Sequence, residues 1–214
     1  MITIDNLTTP ASRQWEAVVM GMRNPMNSWD KSDSEWATTT HGNIYIVGDQ
    51  DLALMSKLRN AGTDHGKFMR MIPVFMDITA PLYWWKEFDT YKVGTVANSC
   101  STMHKIHTRP FVLADFSTEH LTKESLEVLM VTIKALNEAR DKFLETKDKK
   151  YWWQMIQLLP SSYNQLRTVM LNYEVLSNMY HSRKTHKLDE WRSFCSIITT
   201  LPYYKLITGE GYEL

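Results

Sequence analysis

The sequence predicts an α+β fold: a mixed or antiparallel sheet flanked by helices, two of which form a long consecutive pair. Three observations carry this. Two helical periods follow one another between Thr122 and Pro160. Apolar runs of strand length stand apart from one another rather than alternating regularly with helices. No repeat, low-complexity tract or linker divides the chain, so its 214 residues are read as one domain over 1–214.

From the N-terminus, Trp15, Val18, Val19 and Met22 recur at helical spacing in ASRQWEAVVMGMRN. Pro10 can occupy the first turn and Pro25 ends the helix. Asn27 to His41 is polar and reads as loop, followed by a short strand or turn at Ile44-Tyr45-Ile46-Val47 before Gly48. Asp49 can cap a helix through DLALMSKLRN, with Gly62 placed for a left-handed C-terminal residue. Phe68 to Ile78 is rich in β-favouring residues and reads as one strand, bent or at an edge because Pro73 lacks an amide donor. Ala80-Pro81 then opens the helix LYWWKEF, with proline at a first helical position.

Thr122 and Ser125 offer caps to a long amphipathic helix, with Leu126, Leu129, Met130, Ile133, Leu136 and Phe143 on its apolar stripe. YWWQMIQLLP continues as a second helix that stops at Pro160. Tyr163 to Leu171 alternates like a half-buried strand, and Asn172 to Ser182 and Leu188 to Thr200 read as helices.

Composition excludes several functions. Lysine plus arginine equal aspartate plus glutamate at 24 each, so no global field draws the chain to nucleic acid or a membrane surface. MITIDNLTTP has neither a basic start nor a long apolar run, and no window reaches the roughly 18 apolar residues of a spanning helix, so a cytoplasmic location is expected. Cys100 and Cys195 are the only cysteines, too few for a disulfide framework and wrongly spaced for a CxxC motif. With 8 Trp, 10 Tyr and 13 Met, the chain suits subunit interfaces or flat ring ligands, and a core uses the same residues.

Candidate chemistry gathers in two polar clusters, 83–105 and 163–192. Asn98, Ser99, Ser101, Thr102, His104 and Lys105 offer the short donors and cations that a phosphate needs, and a polar loop with a helix cap would use the same residues. Cys100 beside Ser101 and near His104 is not thereby a nucleophile, because adjacency in sequence does not bring a base within reach. His186 and Glu190 share a helical face, but two ligands do not make a metal site, and no metal is expected.

The segment order resembles that of the flavin-dependent thymidylate synthases, the ThyX family, from about Asp64 to Ile207. Asp64-His65 followed by Phe68 is similar to the family's Glu-His-x-x-Phe. Asn98-Ser99-Cys100-Ser101-Thr102-Met103-His104 resembles Asn-Glu-x-Ser-x-Arg-Tyr. Leu159-Pro160, the strand after it, Asn172, Ser182-Arg183 and His186-x-x-x-Glu190-x-Arg192 follow the family's C-terminal series. The family's Arg-His-Arg signature falls on Lys86-Glu87-Phe88, and its phosphate arginine and following tyrosine fall on Met103 and His104. Lysine keeps the charge of arginine without its planar fork.

The resemblance implies a ThyX-like homotetramer with sites shared between subunits. It implies reductive methylation at C5 of dUMP, with FAD as cofactor and NADPH and methylenetetrahydrofolate as co-substrates. It places cofactor contacts at His65, Lys86, Glu87, Asn98, Ser99, His181, Arg183 and His186. Substrate contacts fall at Tyr83, Ser101, His104, Lys105, Arg167 and Arg192. Lys92 is a further compensating cation, and Tyr83, Trp84, Trp85, His65 and His181 are the rings available for stacking on the flavin. No thiol is required. Three readings stay open: this enzyme or a phage-type relative that modifies another pyrimidine in a host cytoplasm, a non-catalytic flavin or nucleotide binder, and a structural protein.

Overall fold

The computed structural model describes residues 1–40 and 42–212. Elements follow in the order β1 (Thr3–Thr8), α1 (Ser12–Arg23), β2 (Glu35–Thr39), β3 (Gly42–Ile46), α2 (Asp49–Asn60), β4 (Pro73–Pro81), α3 (Leu82–Phe88) and β5 (Val96–Ser99). Then come α4 (Lys123–Thr146), α5 (Lys149–Leu158), β6 (Asn164–Asn172), α6 (Tyr173–Arg183), α7 (Asp189–Ile198) and α8 (Lys205–Thr208). One sheet has the order β1-β4-β6-β5, and β2 and β3 form a separate antiparallel hairpin. The class is α+β, as the sequence predicts.

The chain forms two compact units. The first comprises Met1–Asp5, Asp77–Thr90 and Ala97–Thr168, and the second Asn6–Met76, Tyr91–Val96 and Val169–Leu214.

In the first unit, α4 and α5 are the long pair. Thr122 Oγ1 accepts from the Ser125 amide at 3.3 Å, and Lys147 in the left-handed region ends the helix. Asp148 opens α5 by accepting from the Lys150 amide at 3.0 Å. Leu129, Ile133, Leu136 and Ala139 of α4 pack with Met155 of α5 and with Ile106, Phe111 and Phe116. Each fully buried side chain of this size contributes about 1.5–3 kcal/mol. Trp84, Trp85 and Phe88 of α3 are buried on one another, with ring centroids 4.9–5.1 Å apart.

In the second unit, Trp15 of α1 meets Tyr203 edge-on at 4.9 Å and Tyr173 at 6.0 Å. Arg23 and Asp51 form a buried ion pair at 2.6 Å. Asn172, 2% exposed, caps α6 by accepting from the Val175 amide at 3.0 Å, and its own amide donates to the Val93 and Gly94 carbonyls. Gly94 sits at φ +66° with the Asn172 amide nitrogen 3.0 Å from where a Cβ would lie, so glycine is strongly favoured there.

Several expectations need correction. The polar segment read as loop contains β2, because Trp36 pairs with Tyr45 across a hairpin that a count of polar residues hides; His41 of that segment lies outside the described residues. The strand expected from Phe68 starts only at Pro73, since Gly66–Met71 winds into a 3-10 helix. Pro81 is the N-cap of α3 rather than its first helical residue, and α1 likewise begins after the cap at Ala11 rather than at Pro10. The cap of α2 is supplied from a distance, by Asp33, whose carboxylate accepts from the Gln50 and Asp51 amides at 2.9 and 3.1 Å. No helix among the described residues is long and apolar enough to cross a membrane.

Candidate functional site

Alternation along β6 sets up the first unit's cleft. Gln165 points into the core at 6% exposure, and its neighbour Leu166 faces out at 40%. The Cys100 amide donates to the Leu166 carbonyl at 2.9 Å, extending the pairing beyond β5, and Gln165 Nε2 donates to the Cys100 carbonyl at 2.6 Å. The segment that carries Ser101 is thereby fixed on both sides.

The loop beyond it is held at each turn. Ser101 Oγ accepts from the amides of Met103 and His104 at 3.2 and 2.8 Å, and Trp152 Nε1 donates to the Met103 carbonyl at 2.9 Å. Arg140 Nε donates to the His107 carbonyl at 3.0 Å. Asn137 of α4 makes a two-way amide bond with the backbone of Phe111, at 2.8 and 2.9 Å. Arg109 makes a bidentate pair with Asp115 at 3.0 and 2.6 Å, and Asp115 also accepts from the Val112 amide at 2.9 Å. At about 1 kcal/mol net for each hydrogen bond, these contacts hold an otherwise irregular segment in one shape.

The result is a cleft of about 560 Å³, a size typical of small-molecule sites. Ile106, Pro110, Phe111, Tyr163 and Leu166 give it an apolar wall. Thr79, Ser101, Thr102, Thr108, Asn164 and Gln165 bring polar groups, and Lys105 and Arg109 bring cations. Burial pushes the Tyr163 phenol up, so it is present as the neutral donor. The hydrogen bonds to Asp115 push the Arg109 guanidinium pKa up further still. Cys100 also lines the cleft, as an exposed free thiol.

Of the residues expected at substrate, Ser101 and Lys105 line this cleft, and His104 is exposed on the same turn. Arg167 does not line it. It donates to Asp89 at 2.8 Å and to Gln165 Oε1 at 3.0 Å, over the Trp85 ring at 4.2 Å. Tyr83 and Glu87 are half-buried on α3, Lys86 is exposed there, and Asn98 and Ser99 are exposed on β5. Trp84 and Trp85, 0% and 1% exposed, are core and cannot stack on a ligand; Phe88, at the third signature position, is buried at 3%.

The second unit holds the remaining calls. His181 Nε2 lies 2.8 Å from Arg59 Nη2, in a pocket of about 220 Å³ with Thr63, Ser177 and Asn178. Burial, then the charges of Arg59 and Lys184, lower the His181 pKa, so the ring is neutral and accepts from Arg59. Glu174, also at this pocket, is neutralised by Arg70 at 2.8 Å. His65 borders a cavity of about 380 Å³ with Lys67, Arg70 and Met71. Arg183 donates to the Tyr91 hydroxyl at 3.0 Å and lies 5.0 Å from the Trp191 ring centre, and His186 meets the same ring edge-on at 6.4 Å. Arg192 is spent on its own loop: it bonds the His186 and Lys187 carbonyls at 2.7 and 3.1 Å and pairs with Asp189. Lys92 is exposed.

Sequence reasoning missed Arg59, Arg109, Asp115 and Gln165. Each gains its place through a contact that no local spacing encodes.

No protein-family model matches the chain, and none of the curated proteins is similar enough in sequence to match. Solved structures do match. Thymidylate synthase ThyX from Helicobacter pylori, solved with FAD and dUMP, is 17% identical with a TM-score of 0.65, covering 98% of this chain and 96% of that one. The UMP/dUMP methylase PolB from Streptomyces cacaoi, solved with 5-Br dUMP, is 16% identical with a TM-score of 0.65, covering 100% and 97%. Identities this low speak for architecture, and over nearly its whole length the chain has the fold of the flavin-dependent thymidylate synthase ThyX.

Proposed function

We propose that the chain is a ThyX-like enzyme that adds a one-carbon unit at C5 of a pyrimidine nucleotide such as dUMP. The observation that carries this is the first unit's cleft, where an apolar wall meets the cations Lys105 and Arg109 on a fold shared with a dUMP-bound synthase and a UMP/dUMP methylase.

In this reading Ser101, His104, Lys105 and Tyr83 contact the nucleotide. Arg167 acts through Gln165 to hold the cleft wall, and Arg192 holds the loop after α6. Gln165 and the loop bonds keep the cleft preformed, so that binding costs little ordering. Asn98, Ser99, Lys86 and Glu87, with His65, His181, Arg183 and His186, are the proposed flavin contacts. The Arg59–His181 pocket supports this, because the Arg59 guanidinium and the Asn178 amide suit an anionic group such as the FAD diphosphate. When bound, FAD supplies the hydride, with NADPH as its reductant and methylenetetrahydrofolate as carbon donor. A homotetramer with sites shared between subunits and a cytoplasmic location are proposed with it.

Purified protein tests this in two steps. A yellow sample with near-equimolar flavin, followed by NADPH- and folate-dependent release of tritium from [5-³H]dUMP, is the expected outcome. Phe88 favours a second reading, since an apolar core ring stands where the signature carries a cation. A non-catalytic flavin and nucleotide binder would be yellow, bind dUMP and release no tritium.

A further inference from the structure

We propose that Arg109, with Lys105, forms a phosphate clamp in the first unit's cleft, that Asp115 positions the clamp, and that the ligand is a nucleoside monophosphate. This rests on the nucleotide reading above and names the residues that would read its phosphate.

The first unit contains three arginines. Arg167 is committed to Asp89 and Gln165, and Arg140 to the His107 carbonyl and Asp141. Arg109 alone lines the cleft. Its end-on pair with Asp115 engages one hydrogen on each terminal nitrogen. That leaves Nε and the outer terminal hydrogens, among the described residues, without a partner. The side chain is 60% exposed, whereas Asp115 behind it is 9% exposed, with both oxygens occupied. The carboxylate therefore fixes the plane of the fork without presenting a bare anion to a ligand.

Lys105 lines the same cleft, and its ammonium has no ion-pair partner among the described residues. Lys105 and Arg109 together bring two positive charges against the single negative charge of Asp115. That balance suits one phosphomonoester better than a di- or triphosphate. Pro110 on the same loop and Leu166 of β6, both exposed at the cleft, provide the surface against which a base would lie, with Ile106 and Phe111 packed in the core beneath. Arg109 thus supplies the guanidinium that Met103, exposed and without charge, does not.

The test is titration calorimetry on the full-length protein as purified, with dUMP, deoxyuridine and inorganic phosphate, for the wild type and for Arg109→Gln, Arg109→Lys and Lys105→Gln. The wild type is expected to prefer dUMP over deoxyuridine by about 100-fold. Arg109→Gln and Lys105→Gln should each weaken dUMP by about tenfold or more while leaving deoxyuridine unchanged, and Arg109→Lys should recover part of the loss because charge returns without the fork. Unchanged dUMP affinity in both Gln variants would overturn the clamp. So would equal loss of dUMP and deoxyuridine, which would mark a structural role, or wild-type affinity for dUMP no greater than for deoxyuridine. Arg109→Lys and Lys105→Gln keep the test open should Arg109→Gln misfold. Absence of flavin and of tritium release, with the Arg109 effect on dUMP intact, would remove the enzyme reading and leave the clamp standing.

Discussion

Arg167 and Asp89 are 78 residues apart and 2.8 Å apart, with the Arg167 guanidinium 4.2 Å above the buried Trp85 ring. Trp85 in turn donates from Nε1 to the Gln165 carbonyl at 3.0 Å. The end of α3 and the start of β6 are thus locked together beside the cleft. Arg167→Ala removes the ion pair, the ring contact and the donor to Gln165 Oε1. We expect a loss of about 1–3 kcal/mol in urea unfolding, and Arg167→Lys recovering less than half because the planar stack is lost. A change under about 0.5 kcal/mol would refute this role.

The buried pair Arg23–Asp51 makes a larger prediction. Asp51 is 0% exposed, and its second oxygen accepts from Ser32 and Ser34, each at 2.6 Å, while Arg23 donates to the carbonyls of Ser28 and Lys31. Removing the carboxylate leaves the buried guanidinium without a counter-charge and takes an acceptor from two half-buried hydroxyls. Asp51→Ala should cost about 3–5 kcal/mol, and trypsin should cut faster at Lys31. The paired change Arg23→Met with Asp51→Leu should cost less than Asp51→Ala alone, since no charge is then left buried.

What the sequence made legible follows from how each element is stabilised. The α4–α5 pair was readable because Leu129, Ile133 and Leu136 bury one stripe at helical spacing and Thr122 caps it. β5 was not, because Val96 to Ser99 are all exposed and its pairing is set by the β6 backbone rather than by its own side chains. β1 shows the same weak alternation. Ser101 and Lys105 stood out as a polar cluster, and the cleft keeps both. Arg109 and Asp115 lay in a loop six positions apart, matching no helical or strand period, and only the turn through Phe111, pinned by Asn137, brings them together. Trp84 and Trp85 failed as ligand platforms for the opposite reason: an aromatic pair on a short helix is as readable for a core as for a site, and burial decided it.

The two cysteines should separate by reactivity. Cys195 is 4% exposed and burial pushes its thiol up to about 11, whereas Cys100 is exposed at the cleft. One equivalent of thiol should react rapidly with Ellman's reagent in the native protein and the second only after unfolding, with Cys100→Ser abolishing the fast phase. Saturating dUMP should slow that phase in the wild type. Two equally fast thiols would contradict the burial of Cys195.

His181 gives the pH dependence a sign. Burial, then the charges of Arg59 and Lys184, hold its folded pKa below the unfolded value near 6.5, and its neutral ring accepts from Arg59 at 2.8 Å. Above that value both states carry a neutral ring and the residue adds no pH dependence. As pH falls, the unfolded chain takes up the proton first, so νU exceeds νN and stability declines until the folded pKa is also passed. Unfolding free energy should therefore fall as pH drops below about 6.5, and His181→Gln, which keeps a polar side chain but cannot titrate, should flatten that part of the profile. Protonation also breaks the acceptor role toward Arg59, so any anion held by the Arg59 pocket should see an altered site over the same range. If wild type and His181→Gln lose stability in parallel as pH falls below about 6.5, the slope belongs to other groups and the lowered pKa of His181 is refuted.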